Sequence, residues 1–471
     1  MGRKLALAAF VSLLVTLAPA AAAHAESSGT ARGFALVVSP RAVGFLVQIE
    51  NLLGLGTGAG ESVFAERTQS GSTAEDWRAA REAKRDNLSV PEKTGIEAGL
   101  AWLEDGHWLQ STRGGWHGFL PIMGGFPSGS GQAFGVVWSK MDIGVRYPDE
   151  LTPNRVGLRG SLAFSVRGYY LGLFEVGVAR IGGAPIHMNF HVGFQHNANE
   201  SFYGFGQDSS LDDRVSFAQN VGAAGVVLWW QAPSWLYVGG GIGFRDSDVG
   251  EGSDDFPPPP DFNPDELPGF VEQVEYLAYD GFVQFDWRNE GNHYRGGLYA
   301  VRYSDWSDRD LGAFSFKKLD IEVQQYFPFL MNKRVIAVRA RTILTQTKAG
   351  QEIPFYLMAT LGGTRDLRGY NYARFRDRNM ILLNVEYRAE LWVAMDLALF
   401  VDAGKVFAEH SELNFKGLST DYGVGLRLKT TLSTFLRADF AFGGEGFHTA
   451  ITFDSAFDSM PLFSRILQTV Q

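Results

Sequence analysis

Cysteine is absent from all 471 residues. That omission removes a disulfide framework, a thiolate metal site and a cysteine nucleophile together. Long hydrophobic runs are missing as well. Beyond the N-terminal residues, no apolar stretch reaches the ~20 residues that a membrane-spanning helix needs. Basic residues are not in excess: 42 Lys and Arg stand against 52 Asp and Glu, a formal net charge of −10. That balance argues against nucleic acid as a partner, because phosphate binding needs a basic surface. Catalytic signatures are lacking too. There is no Gly-x-Ser-x-Gly elbow, no His-Glu-x-x-His helix and no phosphate loop. The glycine runs 54–60 and 239–243 have no strand-to-helix context. His187 and His191 share one face of a strand, but at strand rise they sit about 13 Å apart. His196 has the opposite parity and points to the other face. The expectation is a protein that is not an enzyme and holds no metal or cofactor.

What the chain does contain is glycine, 56 residues, and aromatics, with 36 Phe, 16 Tyr and 11 Trp. Its first residues read as a secretory signal. Arg3 and Lys4 supply a positive start, residues 5–17 an apolar stretch too short to span a bilayer, and Ala23-His24-Ala25 a small-x-small cleavage site. Residues 1–25 are therefore expected to be a cleaved signal peptide. An exported, aromatic chain without a hydrophobic helix fits an outer-membrane β-barrel, in which only every second residue must be apolar.

Residues 26–115 differ from the rest. Thr73–Arg85 and Glu92–Leu103 read as short amphipathic helices, the first with acidic and basic residues at helical spacing. This periplasmic, partly helical segment either lies under a barrel mouth or forms a disordered leader. From Trp116 the pattern changes to persistent alternation. Leu319, Ile321 and Val323 oppose Asp320, Glu322 and Gln324; Leu436, Ala438 and Phe440 oppose Arg437 and Asp439. A greasy face against a charged one, strand after strand, suits a lipid-facing exterior and a wet lumen. About sixteen such segments fit between 116 and 457, an all-β transmembrane antiparallel barrel. Short connections such as 232–234 and 289–291 fall at one end. Long ones, the acidic Pro-rich 246–272 and the loop 348–378, fall at the other, as barrel asymmetry requires. The last strand, 446–457, is read with Phe447, Ile451, Phe453 and Phe457 on one face, an aromatic assembly signal. Residues 458–471 remain as a C-terminal tail.

Residues 361–407 carry the most information. A Gly-rich loop ends in Leu367-Arg368-Gly369-Tyr370, and two alternating strands follow. The first sets Asn384, Glu386, Arg388 and Glu390 opposite Ile381, Leu383, Val385 and Tyr387; the second sets Asp396, Phe400 and Asp402 opposite Leu397, Leu399 and Val401. If loop 348–378 folds inward, the permanently charged Arg368 fork meets Glu386, Asp402 or both. Gly369 allows close backbone approach. Tyr370 rests its ring on the wall with its hydroxyl in water. In a water-filled lumen the pairing is expected to contribute only ~1–3 kcal/mol. A second Arg-Gly-Tyr, Arg167-Gly168-Tyr169, has no long loop to carry it inward.

These residues resemble the BamA/TamA superfamily of outer-membrane assembly barrels, the bacterial surface antigen family. Its Arg-Gly-Phe/Tyr loop motif is matched by Arg368-Gly369-Tyr370, its strand carboxylate by Glu386 in Asn-Val-Glu-Tyr, and its Asp before Gly by Asp402 in Val-Asp-Ala-Gly. Weaker matches are Glu200–Gly206, similar to a family loop, and Asp286-Trp287-Arg288, similar to its Asp-x-Arg strand end. The resemblance implies insertion or translocation of outer-membrane proteins, with Arg368, Gly369, Tyr370, Glu386 and Asp402 as a structural lumen lock. The partners it implies are the outer-membrane bilayer, nascent outer-membrane proteins and periplasmic chaperones. Members typically carry POTRA modules, and residues 26–115 do not show the β-α-α-β-β pattern of one. The competing reading is a passive channel or surface-antigen barrel with no assembly role.

Overall fold

The computed structural model describes residues 119–123, 130–143, 151–252, 263–289, 293–392, 394–429, 434–452 and 457. The expected signal peptide, the segment 26–115, Phe453 and the tail 458–471 lie outside the described residues. Strands β1 (Phe119–Met123), β2 (Ala133–Lys140), β3 (Arg155–Ser165), β4 (Tyr170–Ala179), β5 (Ile186–Phe202) and β6 (Val215–Trp230) come first. They are followed by β7 (Leu236–Glu251), β8 (Val274–Asp286), β9 (Gly296–Asp308), β10 (Phe316–Phe329) and β11 (Arg334–Thr347). After the ribbon β12 (Ala359–Leu361) and β13 (Phe375–Asp377) come β14 (Asn379–Trp392), β15 (Met395–Phe407), β16 (Ser419–Lys429), β17 (Thr434–Gly443) and β18 (Gly446–Thr452). Helical structure among the described residues is limited to short 3-10 turns.

All strands but β12 and β13 join one sixteen-stranded sheet in chain order, each antiparallel to its neighbours, while β12 and β13 pair with each other. The alternation sets the two faces. On β9, Leu298, Ala300, Arg302, Ser304 and Trp306 are buried, whereas Tyr299, Val301 and Tyr303 are exposed. Alternate side chains of such a strand thus face two different environments. The buried face is not uniform. From β9 to β17 it carries charge, including Arg302, Glu322, Arg339, Arg341, Glu386 and Arg427. Through the middle of β6 and the first half of β7 it carries small side chains, Val221, Ala223 and Gly225, then Gly239, Gly241 and Gly243, before Arg245 restores a charge on β7.

Short links follow β4, β6, β10 and β14, at one edge of the sheet, and the longest connections, 252–273 and 348–378, lie at the other. Several boundaries differ from the sequence reading; β7, for one, runs to Glu251 into the expected loop 246–272. β5 runs on through Glu200, Ser201 and Phe202 after a register irregularity at Asn197/Glu200, so only Tyr203–Gly206 of that motif is loop. β18 stops at Thr452, and Phe457 does not share a face with Phe447 and Ile451. Those two are 55% and 71% exposed, whereas Phe457 is 1% exposed. Phe457 packs near Tyr326 on the buried face, and its carbonyl accepts a 3.0 Å bond from Gln324 Nε2.

Candidate functional site

Loop 348–378 leaves β11 and returns into β14 across the buried face, packed by two clusters. Around the 3-10 turn Phe355–Leu357, the Phe355 ring meets Phe202, Phe217 and Phe270 at centroid distances of 5.5, 4.9 and 6.0 Å. Val274, Tyr276, Trp306 and Phe316 complete this aromatic cluster. Farther along, Leu361, Leu367, Tyr370 and Phe375 pack on Ile343, Met380, Leu382 and Val406. One anchor thus sits on β5–β10 and the other on β11–β15. Arg374 ties the β5–β6 connection to the β17–β18 turn, bonding Ser209 Oγ at 2.8 Å and Glu445 Oε1 at 2.5 Å.

Between the clusters lies Arg368. Its Nε and Nη2 donate to the two oxygens of Asp402 at 2.7 and 2.8 Å, the bidentate geometry that suits a planar guanidinium. Its Nη1 donates to Glu386 Oε2 at 2.6 Å. The guanidinium carbon stands 3.5 Å from the Phe400 ring centroid, a cation–π contact beneath the fork. Glu386 also accepts from Arg388 Nε at 2.8 Å and Arg427 Nη2 at 3.0 Å, and Asp402 from Asn384 Nδ2 at 2.8 Å. The environment is dry: Arg368 is 5% exposed, and Glu386 and Asp402 are 0%. The expectation of a weakly coupled pair in a water-filled lumen is therefore corrected. The loop itself excludes the water, so the charges interact at low local dielectric and depend on one another.

Gly369 is packed backbone against backbone. A Cβ there would lie 2.6 Å from Asp421 Cβ and 2.8 Å from the Gly443 nitrogen, so no other residue fits without displacement. The Tyr370 ring lies 5.2 Å from that of Phe375, tilted by 60°. Its hydroxyl is not left to water, as expected, but donates to the Thr420 carbonyl at 3.4 Å and accepts from Gly444 N at 3.1 Å. Arg167-Gly168-Tyr169 forms the tight β3–β4 turn, with Gly168 at φ 84°. In the other resembling stretch, Arg288 pairs with Asp286 at 2.7 Å and reaches Gln324 at 3.1 Å. His191 is buried and His187 stacks on Trp229; among the described residues no group of three or more ligating side chains could hold a metal.

Several participants went unassigned from sequence: Asn384, Arg388, Arg427, Asp439 and Gly443. Parity gave Asn384, Arg388 and Asp439 to the inner face, but nothing local says which inner residues the loop will cover. A pairing such as Arg427 Nη1 to Asp439 Oδ1 at 2.5 Å spans neighbouring strands and depends on register.

The profile of the Omp85 superfamily domain matches residues 280–450, a range that includes Arg368, Glu386 and Asp402. The chain carries an Omp85 superfamily domain. Among solved structures, BamA from Haemophilus ducreyi lacking POTRA domains 1–3 is similar, with a TM-score of 0.52 and 12% identity. That alignment covers 71% of this chain and 69% of BamA. CdiB from Acinetobacter baumannii gives a TM-score of 0.44 at 11% identity, over 71% of this chain and 58% of that one. CdiB from Escherichia coli gives 0.44 at 13%, over 71% and 61%. The BamA likeness is one of fold. No curated protein matches the chain. The matched range begins within β8 and ends within β18, and it includes the ion-paired buried face of β9 to β17.

Proposed function

We propose that this chain is an outer-membrane β-barrel of the Omp85 type that inserts or translocates other outer-membrane proteins, with loop 348–378 held in its lumen by Arg368. The sheet closes on itself with its apolar face in lipid, as a sheet in a bilayer must to leave no unpaired edge. Residues 1–25 direct export, 26–115 stay in the periplasm ahead of the barrel at 116–457, and 458–471 form a tail. Phe447 and Ile451 belong to the assembly signal; Phe457, turned inward, does not read out from the same face. The lock holds the barrel in shape and performs no chemistry. The observation that carries the reading is the Arg368 fork buried between Glu386 and Asp402 on consecutive strands, within the matched Omp85 region.

A wide passive channel fits less well. Its loop need not carry a cluster such as Phe355, Tyr356, Ile353 and Leu357, all at most 3% exposed. The deciding experiment is depletion of the protein followed by quantitative outer-membrane proteomics. Loss of other barrel proteins supports an assembly role. An unchanged proteome together with altered solute uptake sinks it in favour of a channel.

A further inference from the structure

The lock has a counterpart that runs in the opposite direction. Arg368 reaches from the loop to the wall, but three wall side chains also reach from strands to the loop. Arg437 on β17 donates Nη1 to the Thr364 carbonyl at 2.8 Å. Arg339 on β11 donates Nη1 to the Arg365 carbonyl at 2.8 Å. Asn384 on β14 donates Nδ2 to the Asp366 carbonyl at 2.8 Å. Three consecutive main-chain acceptors are thus taken by donors from three strands. We infer that Arg339, Asn384 and Arg437 are positioning residues forming a second grip, which holds the loop tip by its backbone in addition to the side chain at 368.

Each gripping group is itself fixed. Arg339 Nε bonds Glu322 at 2.9 Å. Arg437 bonds Asp439 at 2.9 Å and the Thr452 hydroxyl at 3.0 Å. Asn384 spans Asp402 and the loop with one amide nitrogen. All three are at most 6% exposed. A guanidinium suits this double duty because its planar fork serves a carboxylate and a carbonyl at once, which an ammonium on a flexible stem does less well. Backbone carbonyls are also a buried segment's obligatory acceptors, so the grip satisfies groups that would otherwise be stranded. It reaches from β11 to β17, so the loop tip joins strands that share no ladder. The grip deepens the reading of loop 348–378 as a lumenal lock and rests on it.

The absence of native cysteine makes the test direct. Arg365→Cys places one thiol on the tip, since the grip uses only the carbonyl of residue 365. Its reaction with a membrane-impermeant maleimide is followed on intact cells in four backgrounds: otherwise unaltered, Arg368→Gln, the grip variant Arg339→Lys/Asn384→Ala/Arg437→Lys, and the two combined. The Lys substitutions keep the charges opposite Glu322 and Asp439. Two grips predict slow labelling with either one intact and a rise of at least about tenfold when both are gone, the factor equivalent to ~1.4 kcal/mol. Restoring Arg437 to the combined variant should slow labelling again. Full release by Arg368→Gln alone overturns the second grip and leaves the lock standing. A combined variant that labels no faster than Arg368→Gln overturns it as well. Fast labelling in the otherwise unaltered background overturns the lock itself. Should the combined variant fail to insert, judged by heat-modifiable gel mobility, Asn384→Ala in both Arg368 backgrounds makes the same comparison.

Discussion

Replacing Arg368 by Ala strips one cation from two buried carboxylates, and the structure divides the damage unequally. Glu386 keeps Arg388 at 2.8 Å and Arg427 at 3.0 Å. Asp402 keeps the Asn384 amide at 2.8 Å and a long 3.4 Å contact from the main-chain nitrogen of residue 368, and it faces the buried Asp421 carboxyl across β15 and β16. Breaking a buried ion pair from one side costs about 3–5 kcal/mol, because the remaining charge stays desolvated. With one carboxylate still doubly paired, the expected loss is about 3–4 kcal/mol, which includes the cation–π contact with Phe400. The assay is urea-driven unfolding in lipid vesicles, read by heat-modifiable mobility, with trypsin cleavage after Arg365 reporting the loop. The mechanism makes a second demand. Adding Asp402→Asn removes the stranded charge, so the double variant should recover about 1–2 kcal/mol relative to Arg368→Ala alone. A loss within about 0.5 kcal/mol of zero, the size of an ordinary surface substitution, refutes the reasoning. So does an Asp402→Asn that recovers nothing.

Three further outcomes follow from particular contacts. Gly369→Ala drives a methyl into Asp421 and the Gly443 backbone, so it should cost about 1–3 kcal/mol in the same urea assay. Phe355→Ala empties the centre of the aromatic cluster and should cost about 3–5 kcal/mol. Single-channel recordings should then show higher conductance than the unaltered protein; no change would mean that this anchor does not close the passage. Phe440→Arg puts a charge on the exposed face of β17, where Phe440 is 40% exposed. In lipid it should destabilise by up to about 4 kcal/mol, whereas a water-facing position would show almost nothing, a difference that vesicle unfolding detects.

The sixteen strands were legible because a wall between two media imposes a two-residue period that any sheet register must respect. Glu386 and Asp402 could be assigned to one face for that reason, and Arg368 could be matched to them by charge. What could not be read is what covers that face. Residues 359–361 and 375–377 form a ribbon of three-residue strands too short to show a period. The shielding around Glu386 depends on a loop whose path is set by Phe355 and Leu367 packing against strands far away in sequence. Phe457 misled for a related reason: its burial comes from Tyr326 and Gln324, far away in sequence, which parity does not report.

The uneven buried face has a mechanical side. From β9 to β17 the strands are cross-braced by ion pairs such as Arg341–Asp320 and Arg427–Asp439, both closer than 3.1 Å. Across β6 and β7, Gly239, Gly240 and Gly241 offer no side chains to brace, and their Cβ positions are occupied by neighbouring backbone oxygens. Shear between strands is resisted in the first region by charge geometry and along the glycine stretch of the second by ladder hydrogen bonds. The sheet is therefore a stiff arc joined to a pliant one, and a change in its curvature concentrates at β6 and β7.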